Sequence, residues 1–289
     1  MTVASAASAA SPWTFHAHPD VWLVNGGLIV GYMLALAYLG PRRVPAGAPV
    51  ATTGQKIAFF SGAALLWAGA DWPMHDLSEH HLFSAHMVQH LLFMLVAPPL
   101  LLLGTPAWLL RTLLGTGLRF RVARLLTRPA AALIAFNGMI VFIHWPLVVE
   151  LQSSSEPGHL AVHVLIVGAS LLMWWPVLAP LPELATLSEP GKMFYLFLQS
   201  IVPTVPASFL TFASQPLYEP YADAGLWGLD AVTDQMIAGL LMKIGGGLLL
   251  WAVIAVLFFR WHSNEEKQEP ASVSWEDFER ELEVWDMRK

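Results

Sequence analysis

LFSAHMVQHLLFMLVAPPLLLL, residues 82–103, is the stretch on which the fold turns. It contains no Asp, Glu, Lys or Arg, and its 22 residues, at about 1.5 Å each, cover roughly the 30 Å of a bilayer's hydrocarbon. A run this long and this free of charge reads as a transmembrane helix. Pro98 and Pro99 fall in its second half and are expected to kink or end the helix there. Six further apolar segments accompany it, at residues 21–39, 57–72, 130–149, 160–178, 193–212 and 236–259. A membrane β-barrel would show instead segments of about ten residues with alternating polarity. The expected fold is therefore all-α: a polytopic membrane helical bundle with about seven transmembrane helices.

Composition points the same way. Of 289 residues, 56% are hydrophobic and 12% charged, where soluble domains carry roughly a quarter charged. No basic stripe with interleaved aromatics exists, so a nucleic-acid partner is excluded and the expected surroundings are the lipid bilayer. There is no cysteine, which excludes disulfides and thiolate ligands. Any soft-metal site must be built from His and Met.

Lys and Arg set the orientation. Arg42, Arg43 and Lys56 follow the first apolar segment, Arg111, Arg119, Arg121, Arg124 and Arg128 the third, Lys192 the fifth, and Arg260 and Arg280 the last. The N-terminal arm and the alternate gaps have none; Lys243, inside the last segment, is the exception. The positive-inside rule places the N-terminus outside and the C-terminus in the cytoplasm, as expected of a multi-pass protein of the bacterial inner (plasma) membrane. The outer loops are acidic, with Asp71, Asp76, Glu79, Glu150, Glu156, Glu219, Asp230 and Asp234, and such a face attracts cations. Three regions are expected: a flexible outer arm over 1–20, the transmembrane domain over 21–260, and an acidic cytoplasmic tail over 261–289. Trp275, Phe278, Leu282 and Trp285 recur in that tail every three to four residues, which predicts an amphipathic helix.

Ten of the eleven histidines fall on the outer side of this topology. His16 and His18 precede the first span; on a flexible arm they carry no information. His75, His80 and His81 lie in the second-to-third loop. His86 and His90 open the third span and His159 and His163 the fifth, each pair four residues apart and so on one helix face. His144 lies near the outer end of the fourth. Imidazole suits copper, zinc, iron and nickel, and thioether favours Cu(I). The candidate metal ligands are His86, His90, His144 and His163, with His159, His75 and Met87 beside them. Asp71, Met74, Asp234 and Met236 are candidate supporting residues that ligate or orient them.

The run His86-Met87-Val88-Gln89-His90, continuing to Ala97-Pro98-Pro99 and Leu103-Gly104-Thr105-Pro106, resembles the signature of the seven-helix, Bacillus-type CtaG family of cytochrome c oxidase assembly factors. Asp71-Trp72-Pro73-Met74-His75, His144-Trp145-Pro146, His163, Trp174-Trp175-Pro176 and Asp234-Gln235 are similar to that family's pattern, over roughly residues 20–260. The resemblance implies a role in maturing haem–copper oxidase. It implies supply of copper, as Cu(I) or Cu(II), to the oxidase catalytic subunit, with other copper chaperones as further candidate partners and no enzymatic activity of its own. Two other classes compete. A membrane b-type haem-binding or haem-handling protein would use the same histidines as axial ligands. A metal transporter would need polar groups continuing through the inner half, where Lys243 stands almost alone.

Overall fold

In hydrocarbon a backbone amide has no water to bond, so an apolar run must satisfy its own N–H and C=O groups, and a helix does so within one segment. The computed structural model describes residues 13–184, 186–222, 226–268 and 275–287; it is 79% helix, with no strand among the described residues. The helices run α1 Pro19–Arg43, α2 Thr53–Ala70, α3 Met74–His80, α4 Phe83–Gly104, α5 Ala107–Leu114 and α6 Leu118–Leu126. They continue with α7 Pro129–Ile143, α8 Pro146–Ser154, α9 Glu156–Leu178, α10 Glu189–Phe212, α11 Ala231–Glu266 and α12 Trp275–Asp286.

All seven apolar segments are helical. Five helices, α1, α4, α9, α10 and α11, are long and apolar enough to cross a membrane, and six if α6 and α7, bent by 76°, form one span. The two remaining segments fall short for local reasons. Helix α7 has 15 residues before the chain reaches Trp145-Pro146. Helix α2 has 18, but it begins Thr53-Gly54-Gln55-Lys56 behind a capping box in which Thr52 and Gln55 bond each other's backbone. Of the arm expected over 1–20, residues 1–12 lie outside the described residues, and Pro19 and Asp20 already belong to α1. The tail is helical over α12, where Trp275 and Trp285 are exposed.

Pro98 and Pro99 do not end α4. The helix widens into a π turn at Leu92–Val96 and runs on to Gly104. Pro98 has no N–H, so the carbonyl of Met94 loses the donor that an α-helix would supply four residues on. The Trp174 indole of α9 donates to that carbonyl at 3.0 Å. The proline thus creates a cross-helix anchor.

Helices α2 and α4 lie close together because glycines line their contact. Gly69 faces the ring of Phe93, and Gly104 meets the backbone of Phe59. Tyr32 of α1 closes this layer, stacking on Phe59 at 3.7 Å and donating to the Gly104 carbonyl at 2.9 Å. A methyl group on Gly104 would overlap the Phe59 backbone nitrogen, so α2 and α4 must part. Gly104→Ala is expected to destabilise the protein by about 1–3 kcal/mol. A lower melting temperature in detergent would register this, and an unchanged one would refute the close approach.

The two ends of the bundle differ in charge. At one lie Arg42, Arg43, Arg111 and Lys192, with Arg111 on Glu183 at 2.6 Å and Lys192 on Glu189 at 2.7 Å. The other end bears the histidines. Between them Lys243 sits on a π turn at Leu241–Gly245, exposed on the bundle's flank, with Nζ 3.5 Å from the Ser208 hydroxyl and 5.8 Å above the Phe212 ring.

Candidate functional site: a buried row of imidazoles

Three helices meet at the histidine-bearing end. Helix α4 carries His86 and His90, whose rings lie 4.2 Å apart; α9 carries His159 and His163, also 4.2 Å apart. The spacing of four residues brings each pair onto one face, and the two faces look at each other: His90 and His163 stand 6.2 Å apart. His75, from α3, meets His159 at 5.0 Å. The result is a row, His75, His159, His163, His90, His86, leading from the short surface helix into the bundle.

Two polar tethers hold α3 and α4 in place. Leu82, at the start of α4, has no side-chain oxygen to cap the helix. Asp234 of α11 does it instead: its carboxylate accepts from Phe83 N at 2.6 Å, from Ser84 N at 3.2 Å and from the Ser84 hydroxyl. Gln89 of α4, fully buried, donates to the Gly69 carbonyl at 2.7 Å and accepts from the Ser78 hydroxyl at 3.1 Å, which joins the end of α2 and the middle of α3 to the histidine helix. Tyr221 donates to the Ser78 carbonyl at 3.0 Å from the far side.

Between the two histidine helices sits Glu79. Its carboxylate lies 3.2 Å from His159 Nδ1 and 3.3 Å from His86 Nδ1. The contact to His86 has ion-pair distance without hydrogen-bond geometry. Burial pushes the Glu79 carboxyl upward, yet the neighbouring imidazoles of His159 and His86 hold it well below the usual carboxylate range. Burial pushes the His75 imidazole down to about 4, so near pH 7 it is neutral and its lone pair is free for a cation. The second nitrogen of His86 lies 3.4 Å from the Gln152 amide.

The nitrogens left over are the ones that matter. Among the described residues, both ring nitrogens of His90 are buried with no hydrogen-bond partner, as are His86 Nδ1, His159 Nε2, His163 Nε2 and His75 Nδ1. An unpaired buried polar group costs about 1–3 kcal/mol, and native proteins rarely tolerate several together without a reason. Six such nitrogens on five imidazoles, each neutral ring offering one lone pair, fit a cation that accepts nitrogen lone pairs. No three His, Asp or Glu side chains among the described residues converge on one point as a ready cage. The row offers imidazoles in successive pairs.

The other candidates stand elsewhere. His144 turns Nδ1 to the Ile140 carbonyl at 2.8 Å; among the described residues its ring stacks on none of the other imidazoles, yet it lies within electrostatic reach of His86 and His90. Met87 is buried in the apolar core, Met74 is half-buried on α3, and Met236 is exposed on the bundle's flank. Asp71 accepts from the indoles of Trp22 and Trp67 at 2.7 and 2.8 Å, tying α1 to α2. Asp234 orients a helix rather than an imidazole. Glu79 and Gln152 were missed as site residues, since an acid and an amide in polar loops look solvated. The one available signal was that Glu79 stands seven residues before His86.

A polytopic, all-helical membrane protein with its histidines buried in a row at one end is the class that fold and site define. The chain belongs to the cytochrome c oxidase caa3 assembly factor family (Caa3_CtaG), whose family model matches residues 30–264. It is also 26% identical, over 269 residues, to uncharacterized proteins of Mycobacterium bovis and Mycobacterium tuberculosis. Those matches cover 83% of this chain but 38% of each relative, so the chain spans about two fifths of their length. No solved structure matches it.

Proposed function

We propose that this protein is a non-enzymatic, copper-binding assembly factor of the bacterial inner membrane, which takes up copper at its outer face and passes it to the catalytic subunit of a haem–copper oxidase. Copper is its cargo. The observation that carries the reading is His90, 3% exposed, with both ring nitrogens bare and His86 and His163 on either side. Imidazole suits copper as it suits zinc, iron and nickel, and membership of an assembly factor family of cytochrome c oxidase, a haem–copper enzyme, favours copper among them. Pairs of imidazoles in succession suit a carried ion better than a closed cage, because each imidazole is exchanged without setting the ion free. Metal analysis of the detergent-purified protein after exposure to Cu(I) tests this: wild type retains copper, and a His90→Leu, His163→Leu variant does not.

The orientation belongs to the same proposal, with the histidine-bearing end outside and the arginine-bearing end in the cytoplasm. Reporter fusions after Lys289 and within residues 113–124 are expected to register cytoplasm. A periplasmic signal from either overturns it.

A further inference from the structure

We infer that His16 and His18, held on Asp76, form the loading station through which a copper ion reaches the buried row; this rests on the reading of that row as a copper site. The two imidazoles converge on one carboxylate from some 60 positions away in the chain, His16 Nδ1 at 3.0 Å from Asp76 Oδ1 and His18 Nε2 at 3.3 Å from Oδ2. Contact over that separation is tertiary structure. Exposure falls along the set: the His16 side chain is 51% exposed, His18 17% and Asp76 7%. The innermost of the arm's imidazoles then touches the row, since the His18 ring lies 4.4 Å from His75.

From solvent inward the sequence of nitrogen donors is thus His16, His18, His75, His159, His163, His90. Ring separations after His18 are 4.4, 5.0, 4.2 and 6.2 Å. A single ion passes from one imidazole to the next, each of them shared by two steps, and only the innermost pair, His163 and His90, retains it. An ion moves one step by exchanging the imidazole behind it for the one ahead while the imidazole shared by the two steps keeps hold of it. No oxidation or proton transfer is required. Asp76 supplies the charge that draws a cation to the outermost pair, and His75 Nδ1, buried and without a partner, is the next free donor.

Simple anchoring of the arm does not account for these histidines. Phe15 already packs edge-on against Trp72 at 5.7 Å, so the arm is pinned by an aromatic contact of its own. His16 and His18 also precede the stretch matched by the family model, which begins at residue 30.

The test is stopped-flow transfer of Cu(I) from a chromogenic Cu(I) chelator to the full-length protein in detergent. It compares wild type, the His16→Ala, His18→Ala variant and the His90→Leu, His163→Leu variant. Loss of the arm histidines is expected to slow loading about tenfold, within the one to three decades over which on-rates vary among variants of one site. The final copper content stays at the wild-type level. Loss of the buried pair is expected to lower the final content. An unchanged loading rate without His16 and His18 overturns the inference while leaving the buried site intact. A lowered final content in that variant also overturns it, because the arm would then hold the ion rather than admit it. Failure of the wild-type protein to take up Cu(I) removes the proposed function and the loading station together.

Discussion

Replacing His90 and His163 together with leucine is expected to abolish copper retention and to lower haem–copper oxidase activity in the membrane, while the chain inserts at normal abundance. Insertion survives because leucine is favourable at a span centre, by about 0.3–0.6 kcal/mol, and is close to imidazole in volume, the kind of exchange cores accept best. The variant also removes buried nitrogens that have no partner, so the apo protein is expected to be slightly more stable. Retention is lost because the variant removes the two imidazoles, 6.2 Å apart, by which α4 and α9 face each other directly. Losing a residue that merely orients a metal ligand costs about 10–100-fold in affinity, and losing two ligands costs more than that. Oxidase subunits are still made, and excess copper in the medium restores part of the activity.

The same variant separates the three classes of function. A b-type haem protein would lose its own visible absorbance. A transporter would change cellular metal accumulation while oxidase assembled normally. Normal oxidase activity in the variant under limiting copper removes the copper reading and leaves the fold and the family.

The bundle was legible in the sequence because its cause is local: seven apolar segments, each needing only its own residues to satisfy its backbone. Lengths were less legible. Trp145-Pro146 ends α7 after 15 residues; the Trp-Pro pair marks a helix end in the sequence, but the apolar run continues to Val149 and so reads as longer than the helix is. The proline pair at 98–99 reads as a helix end, yet the π turn at Leu92–Val96 and the Trp174 indole on α9 carry the helix past it; the rescue comes from about eighty residues away. Within the site, the pairs His86/His90 and His159/His163 could be read from spacing alone, since four residues make one face. The partners that hold them could not. Glu79 looked like a solvated loop acid, and His16 and His18 like a disordered arm, because burial and contact across sixty residues leave no trace in local composition. His144 lies at the depth expected from counting residues, and its Nδ1 bond to the Ile140 carbonyl leaves Nε2 as the nitrogen open to a ligand.

Asp234→Ala is expected to lower the melting temperature in detergent by about 10 °C and to weaken copper binding about tenfold without touching a candidate ligand. The carboxylate is 1% exposed and caps a helix that cannot cap itself, because Leu82 precedes α4. Removing it strands the amides of Phe83 and Ser84 and the Ser84 hydroxyl in the interior. A lost cap costs about 1 kcal/mol, up to about 2, and each stranded buried donor about 1–3 kcal/mol. These are not additive, and about 3–5 kcal/mol in all is the expected scale. The binding effect follows from position: His86 lies within one turn of the capped amides, so fraying the start of α4 loosens His86 first and then His90. Asp234→Asn keeps one acceptor oxygen and is expected to recover about half of both losses. Thermal denaturation followed in detergent, with a Cu(I) titration of the same samples, measures the two together. An Asp234→Ala protein that melts at the wild-type temperature refutes the cap. One that melts early but binds copper as wild type does shows that the start of α4 does not set the imidazoles of His86 and His90.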